Sequence, residues 1–180
     1  MSKVTFGYDV NALNEIIALN PNWTPVSESG SGVKPSQNQI LGRPVWDFIS
    51  GEETRHLYEI LFEKVRTREK AVDVPIRCDS PSQRRLMSLE ILPLGKGALR
   101  LQGKMLRSES RPPIRLLDQE ALRSEDSLTV CSWCKCIRRS PDRWVEVEVA
   151  SKELGLFQAT ALPFLSHGIC PNCEKQIENF

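Results

Sequence analysis

No apolar run in the chain approaches the ~20 residues that a helix needs to cross a bilayer. The first fifteen residues, MSKVTFGYDVNALNE, hold one lysine and no apolar stretch, so no secretory signal is expected. Charge of one sign is also missing. The net charge is +1 over 180 residues, which excludes a broad field that would draw nucleic acid or an anionic membrane. Cysteine is scarce for a disulfide scaffold, at six residues in the whole chain. These absences point to the cytosol, where thiols stay reduced and paired cysteines bind metal or do redox work.

What is present reads as a globular protein. Apolar residues make up 40% and charged residues 26%, and the length suits one or two domains with a real core. Positive charge gathers in residues 61–125, with 14 basic and 9 acidic side chains. A solvated basic surface is the expected reading, with contact to an acidic partner or nucleic acid as the alternative. The cysteines are uneven too: Cys78 stands alone, while Cys131, Cys134, Cys136, Cys170 and Cys173 lie in the last third.

Val4–Val10 and Glu15–Leu19 are β-rich runs across an Asn-bearing loop, which predicts a hairpin that Pro21 ends. Residues 25–38 hold Pro25, Gly30, Gly32 and Pro35 among serines, the signature of a loop. Pro44 suits the first turn of a short helix. Gly51 to Lys70 is the strongest helix pattern: Thr54, Leu57, Tyr58, Leu61, Phe62 and Val65 share one face, with His56 and Glu59 opposite. Ala71–Cys78, Arg85–Leu92 and Ala98–Leu106 follow as strands. Met87, Leu89 and Ile91, then Leu99, Leu101 and Met105, show the period-two alternation of a half-buried antiparallel sheet. Residues 108–129 carry Pro112, Pro113 and many charges, and read as a linker with a short helix around 114–124.

The tail from residue 130 carries the chemistry. Cys131-x-x-Cys134 and Cys170-x-x-Cys173 each let the chain turn so that two sulfurs reach one ion. Four thiolates suit tetrahedral Zn²⁺, the expected cofactor, and an iron–sulfur cluster is the alternative. His167, three residues before Cys170, competes for one of the four places. Cys136 is too close to Cys134 to share the ion comfortably and reads as a bystander, or as a reactive thiol beside Lys135, Arg138 and Arg139. Cys78 reads as a small buried apolar side chain. Covalent haem attachment needs CxxCH, but Lys135 and Glu174 follow the two pairs. The spacer between the pairs is 35 residues, and Trp144–Leu154 within it reads as a helix with Glu146 and Glu148 on a solvated face.

The order of elements up to residue 107 resembles the PAS sensor fold. The text ILGRPVWDFISGEETRHLYEILFEKVR is similar to the entry and long helix of bacterial single-PAS proteins, and VPIRCDSPSQRRLMSLEILPL to the strand pair that follows. CSWCK and SHGICPNC resemble a cysteine-rich tail carried by bacterial PAS sensors and sensor kinases; the extra Cys136 departs from that pattern. The resemblance implies an α+β fold: a PAS-like five-stranded antiparallel sheet with helices on one face, plus a small C-terminal zinc-knuckle module. The expected division is a sensor domain at 1–107, a linker at 108–129 and a metal module at 130–180.

The resemblance further implies a sensing or dimerising role rather than catalysis, and no catalytic residue is assigned. The ligand of the sensor domain, if it has one, is not readable. A reactive-cysteine flavin motif is missing, and His56 points away from the buried face, against an axial haem ligand. Trp23 and Trp46 are expected in the core or at a dimer interface. No kinase, receiver or helix-turn-helix output element is visible, so the expected partner is a protein effector, a sensor kinase or regulator, with a homodimer through the first domain. Membrane and nucleic acid are not expected partners. Two rival readings remain: a redox switch that releases zinc from its thiolates, and an enzyme with an open metal site.

Overall fold

The computed structural model describes residues 4–20 and 36–180; Pro21, Trp23 and most of the 25–38 loop lie outside the described residues. The fold is α+β. The first sheet has five antiparallel strands in the order β2-β1-β5-β4-β3, formed by β1 (Val4–Val10), β2 (Ile16–Leu19), β3 (Val72–Arg77), β4 (Gln83–Gly95) and β5 (Ala98–Ser110). Helix α1 (Glu52–Arg68) packs across one face of it.

That face is apolar because of the alternation in the strands. Val10, Val74, Leu89, Ile91, Leu99 and Leu101 are buried against Leu57, Leu61, Phe62 and Val65 of α1, and Ile40 and Val45 close the rim. Each such side chain contributes roughly 1.5–3 kcal/mol by leaving water. The opposite face is polar and cross-linked. Arg100 pairs with Asp9 at 2.8 Å, Lys104 with Glu90 at 2.8 Å, and Ser88 with Asp73. Gly103 lies under the Phe6 ring, where a Cβ would stand 2.1 Å from the ring edge.

The expected hairpin, long helix and three strands are all present, with β4 and β5 longer than expected. His56 is exposed, and Trp46 is half-buried with its ring 5.6 Å from Phe62. The expected helix around 114–124 is absent. Pro112 and Pro113 follow the end of β5, Arg115–Leu117 forms one 3-10 turn, and Arg123–Cys131 is a strand, β6. The turn exists to bury Ile114 and Leu116 in a second core with Val130, Ile137, Val147 and Leu162.

The second sheet runs β8-β7-β6-β9, from β7 (Ile137–Ser140), β8 (Arg143–Val145) and β9 (Leu162–Gly168) beside β6. Helices α2 (Val147–Glu153) and α3 (Pro171–Glu178) complete the tail. Trp144 lies in β8, so the spacer helix starts three residues later than expected. Among the described residues no helix is long and apolar enough to cross a membrane.

Candidate metal centre

β6 and β9 pair in parallel, with Val130 opposite His167 and Cys131 opposite Gly168. This register decides the site. Each CxxC pair begins at or just beyond the C-terminal end of one of these strands, and parallel pairing sets those ends side by side. Antiparallel pairing would part them by about 20 Å over a seven-residue strand. Parallel neighbours need a long crossover. The 35-residue spacer supplies it and carries β7, β8 and α2.

The first pair sits in the tight β6–β7 turn. The N–H of Cys131 donates to the Cys136 carbonyl at 2.8 Å, and that of Lys135 to the Cys131 carbonyl at 3.0 Å. Lys135 takes the left-handed conformation, with φ 64°, to close this turn. The second pair opens α3. Cys170 is the residue before its first turn, Pro171 fills the first helical position, where no amide partner is needed, and Cys173 follows two residues on.

All four sulfurs lie within 4.8 Å of one another. The Sγ atoms of Cys134 and Cys170 are 3.7 Å apart, and the Cys170 N–H points at the Cys131 Sγ from 3.5 Å. A tetrahedral zinc with arms of ~2.3 Å needs sulfur separations of about 3.8 Å, so the donor set fits such an ion. Cys131, Cys170 and Cys173 are buried and Cys134 is half-buried. Hydrogen bonds from the Cys134, Cys170 and Cys173 thiols hold Cys131 far below the ordinary thiol range. Donation to Cys131 pushes Cys134 up to about 12 and raises Cys170 and Cys173 as well. Zn²⁺ is bound by thiolates, so an ion in this cluster would be taken up with release of thiol protons.

His167 stands outside this group. Its Nδ1 is 3.3 Å from the Ser132 Oγ. Cys136 is half-buried, and its thiol is lowered by a hydrogen bond with Cys134. Cys78 follows β3, lies outside the four-sulfur group, and is half-buried rather than fully enclosed.

Glu146 and Glu148 do not form a solvated face. Glu148 accepts from Arg84 at 2.8 Å and Arg111 at 2.7 Å, and Glu146 pairs with Arg77 at 3.3 Å. Asp79, with no exposed side-chain surface, lies between Arg77 and Arg111. This network ties the β3–β4 end of the first sheet to α2. The sequence shows Asp79 only as a turn residue; its partners are Arg77 and Arg111, which in turn reach Glu146 and Glu148, 69 and 37 positions further along the chain. Ser132, Trp133 and Thr54 also neighbour the site; the sequence marks the first two only as the interior of a CxxC pair and Thr54 only as part of the buried face of α1.

No family model matches the chain, and no curated protein matches it. Among solved structures, it is similar to a domain of an HTR-like protein from Haloarcula marismortui. The TM-score is 0.38 at 10% identity, over 57% of this chain and 97% of that chain.

Proposed function

We propose that this protein is a non-enzymatic signalling protein: a PAS-type sensor unit at 1–107 joined to a structural zinc centre at 130–180 that presents a surface to a protein effector. The observation that carries the metal assignment is the cluster of four sulfurs, three of them buried, brought together by two turns on neighbouring strand ends. Cys131, Cys134, Cys170 and Cys173 are the ligands in this reading. Four thiolates leave no place on the ion for water, so its role is structural rather than catalytic. The strand order β2-β1-β5-β4-β3, with α1 on one face, supports the sensor assignment alongside the sequence resemblance.

The test is metal content by mass spectrometry with a visible spectrum of the purified chain. About one zinc per chain in a colourless sample is expected for a single four-thiolate site, and Cys173→Ser should lose it. A brown, iron-containing sample, or full zinc in Cys173→Ser, would overturn the assignment.

A further inference from the structure

The segments that carry the thiols are the same segments that touch α1. Between Cys131 and Cys134, the Ser132 hydroxyl accepts from Thr54 Oγ1 at 2.7 Å, and the Trp133 ring lies 5.4 Å from Tyr58. The Trp133 carbonyl also accepts the Arg77 N–H at 2.7 Å, at the end of β3. On the other side, α3 carries Cys173 and buries Ile177 in the core that holds Leu57 and Leu61. The Lys64 ammonium caps its end, donating to the Ile177 and Glu178 carbonyls at 3.2 and 2.6 Å. The first turns of α1 thus meet one CxxC segment, and its later turns meet the helix that grows from the other.

An ion that ties the two CxxC pairs together therefore fixes two separate braces on one helix. We propose that metal binding and the seating of α1 on the first sheet are one coupled equilibrium, with Thr54 and Tyr58 as positioning residues for the metal centre. This rests on the four-thiolate reading. By linkage, whatever displaces α1 weakens the metal, and loss of the metal loosens α1, by the same factor. The signal path runs through direct contact with α1, and the 108–129 segment is not required to carry it. The Arg77–Asp79–Arg111 network holds α2 to β3 and β4 without any thiol. Metal loss should therefore free α1 and α3 while α2 and β4 stay in place.

The test uses the full chain in two measurements. Hydrogen exchange, with zinc bound and after chelation, should show faster exchange confined to α1 and α3. Zinc affinity, by competition with a chromophoric chelator, should fall roughly tenfold in Thr54→Val and in Tyr58→Leu. His56→Ala, on the exposed face of α1, should leave it unchanged. Thr54→Val removes one hydroxyl and keeps the side-chain shape, so it reports even if Tyr58→Leu folds poorly. Zinc bound at one per chain with unchanged affinity in Thr54→Val, and α1 exchange indifferent to zinc, would overturn the coupling while leaving the metal site intact. Exchange that rises in every element on chelation would overturn it as well. Failure of the wild-type chain to bind zinc would sink the metal reading and the coupling with it.

Discussion

Asp79→Asn is the sharpest probe of how the tail is fastened to the first sheet. The carboxylate has no exposed surface and accepts from Arg77 Nε at 2.9 Å and from the Arg85 N–H at 3.1 Å, with Arg111 at 3.1 Å. The guanidinium side chains of Arg77 and Arg111 are 13% and 7% exposed. The amide keeps the shape and removes the charge. Two nearly buried cations then rely on Glu146 and Glu148, which are 41% and 28% exposed and better screened. Breaking a buried ionic group from one side costs about 3–5 kcal/mol. An unfolding entropy near 2.1 cal/mol/K per residue gives about 0.4 kcal/mol/K for 180 residues, so Tm should fall by about 8–13 °C. Scanning calorimetry of the metal-loaded chain at pH 7 reads this directly. The control is Asp47→Asn, whose partner Arg43 lies 2.8 Å away with both side chains well exposed. It should shift Tm by about 1 °C. Equal shifts in the two variants would refute the view that a buried network, rather than surface pairing, fastens α2 to the sheet.

Two further outcomes follow from particular contacts. In Gly103→Ala the new methyl would sit 2.1 Å from Phe6 Cε1 and 2.5 Å from its Cζ, so the ring must swing away. The cost should be about 1–3 kcal/mol in a urea titration, and an unchanged midpoint would show that Phe6 does not lie over that glycine. For pH, burial pushes the Glu148 carboxyl up, but hydrogen bonds from Arg84 and Arg111 outweigh it and hold it below the usual range. A depressed carboxylate adds stability above its unfolded value of ~4.3 and loses it as pH falls through the folded value. The urea midpoint should drop on acidification below about pH 4.3, and less steeply in Glu148→Gln. Equal slopes in the two proteins would remove Glu148 from the account.

What the sequence disclosed was what short-range pattern encodes. The Leu89/Ile91 and Leu99/Leu101 alternations mark strands wherever they occur, and the face from Thr54 to Val65 marks a helix. The two CxxC pairs were equally local. β6 was hidden because Glu125, Asp126 and Ser127 interrupt any apolar rhythm; it is a strand by virtue of pairing with β9, some 40 positions on. Trp144 reads as helical because its acidic neighbours resemble a solvated helical face. In the fold those acids face Arg77, Arg84 and Arg111 across the joint between the sheets. Partners this distant leave no periodicity to read.

The parallel β6–β9 pair carries the remaining argument. A spacer of 35 residues is too long for a simple pair of adjacent knuckles, and the sequence offered an inserted helix as the reason. The topology offers a stronger one. Here both CxxC turns follow the C-terminal ends of neighbouring strands, and parallel pairing sets those two ends side by side. The crossover that parallel pairing demands then has to be filled. Here it is filled by β7, β8 and α2, whose Val147 and Ala150 build the second core and whose Glu148 reaches back to Arg111. The spacer that lets the thiols meet thus also fastens the metal centre to the first sheet.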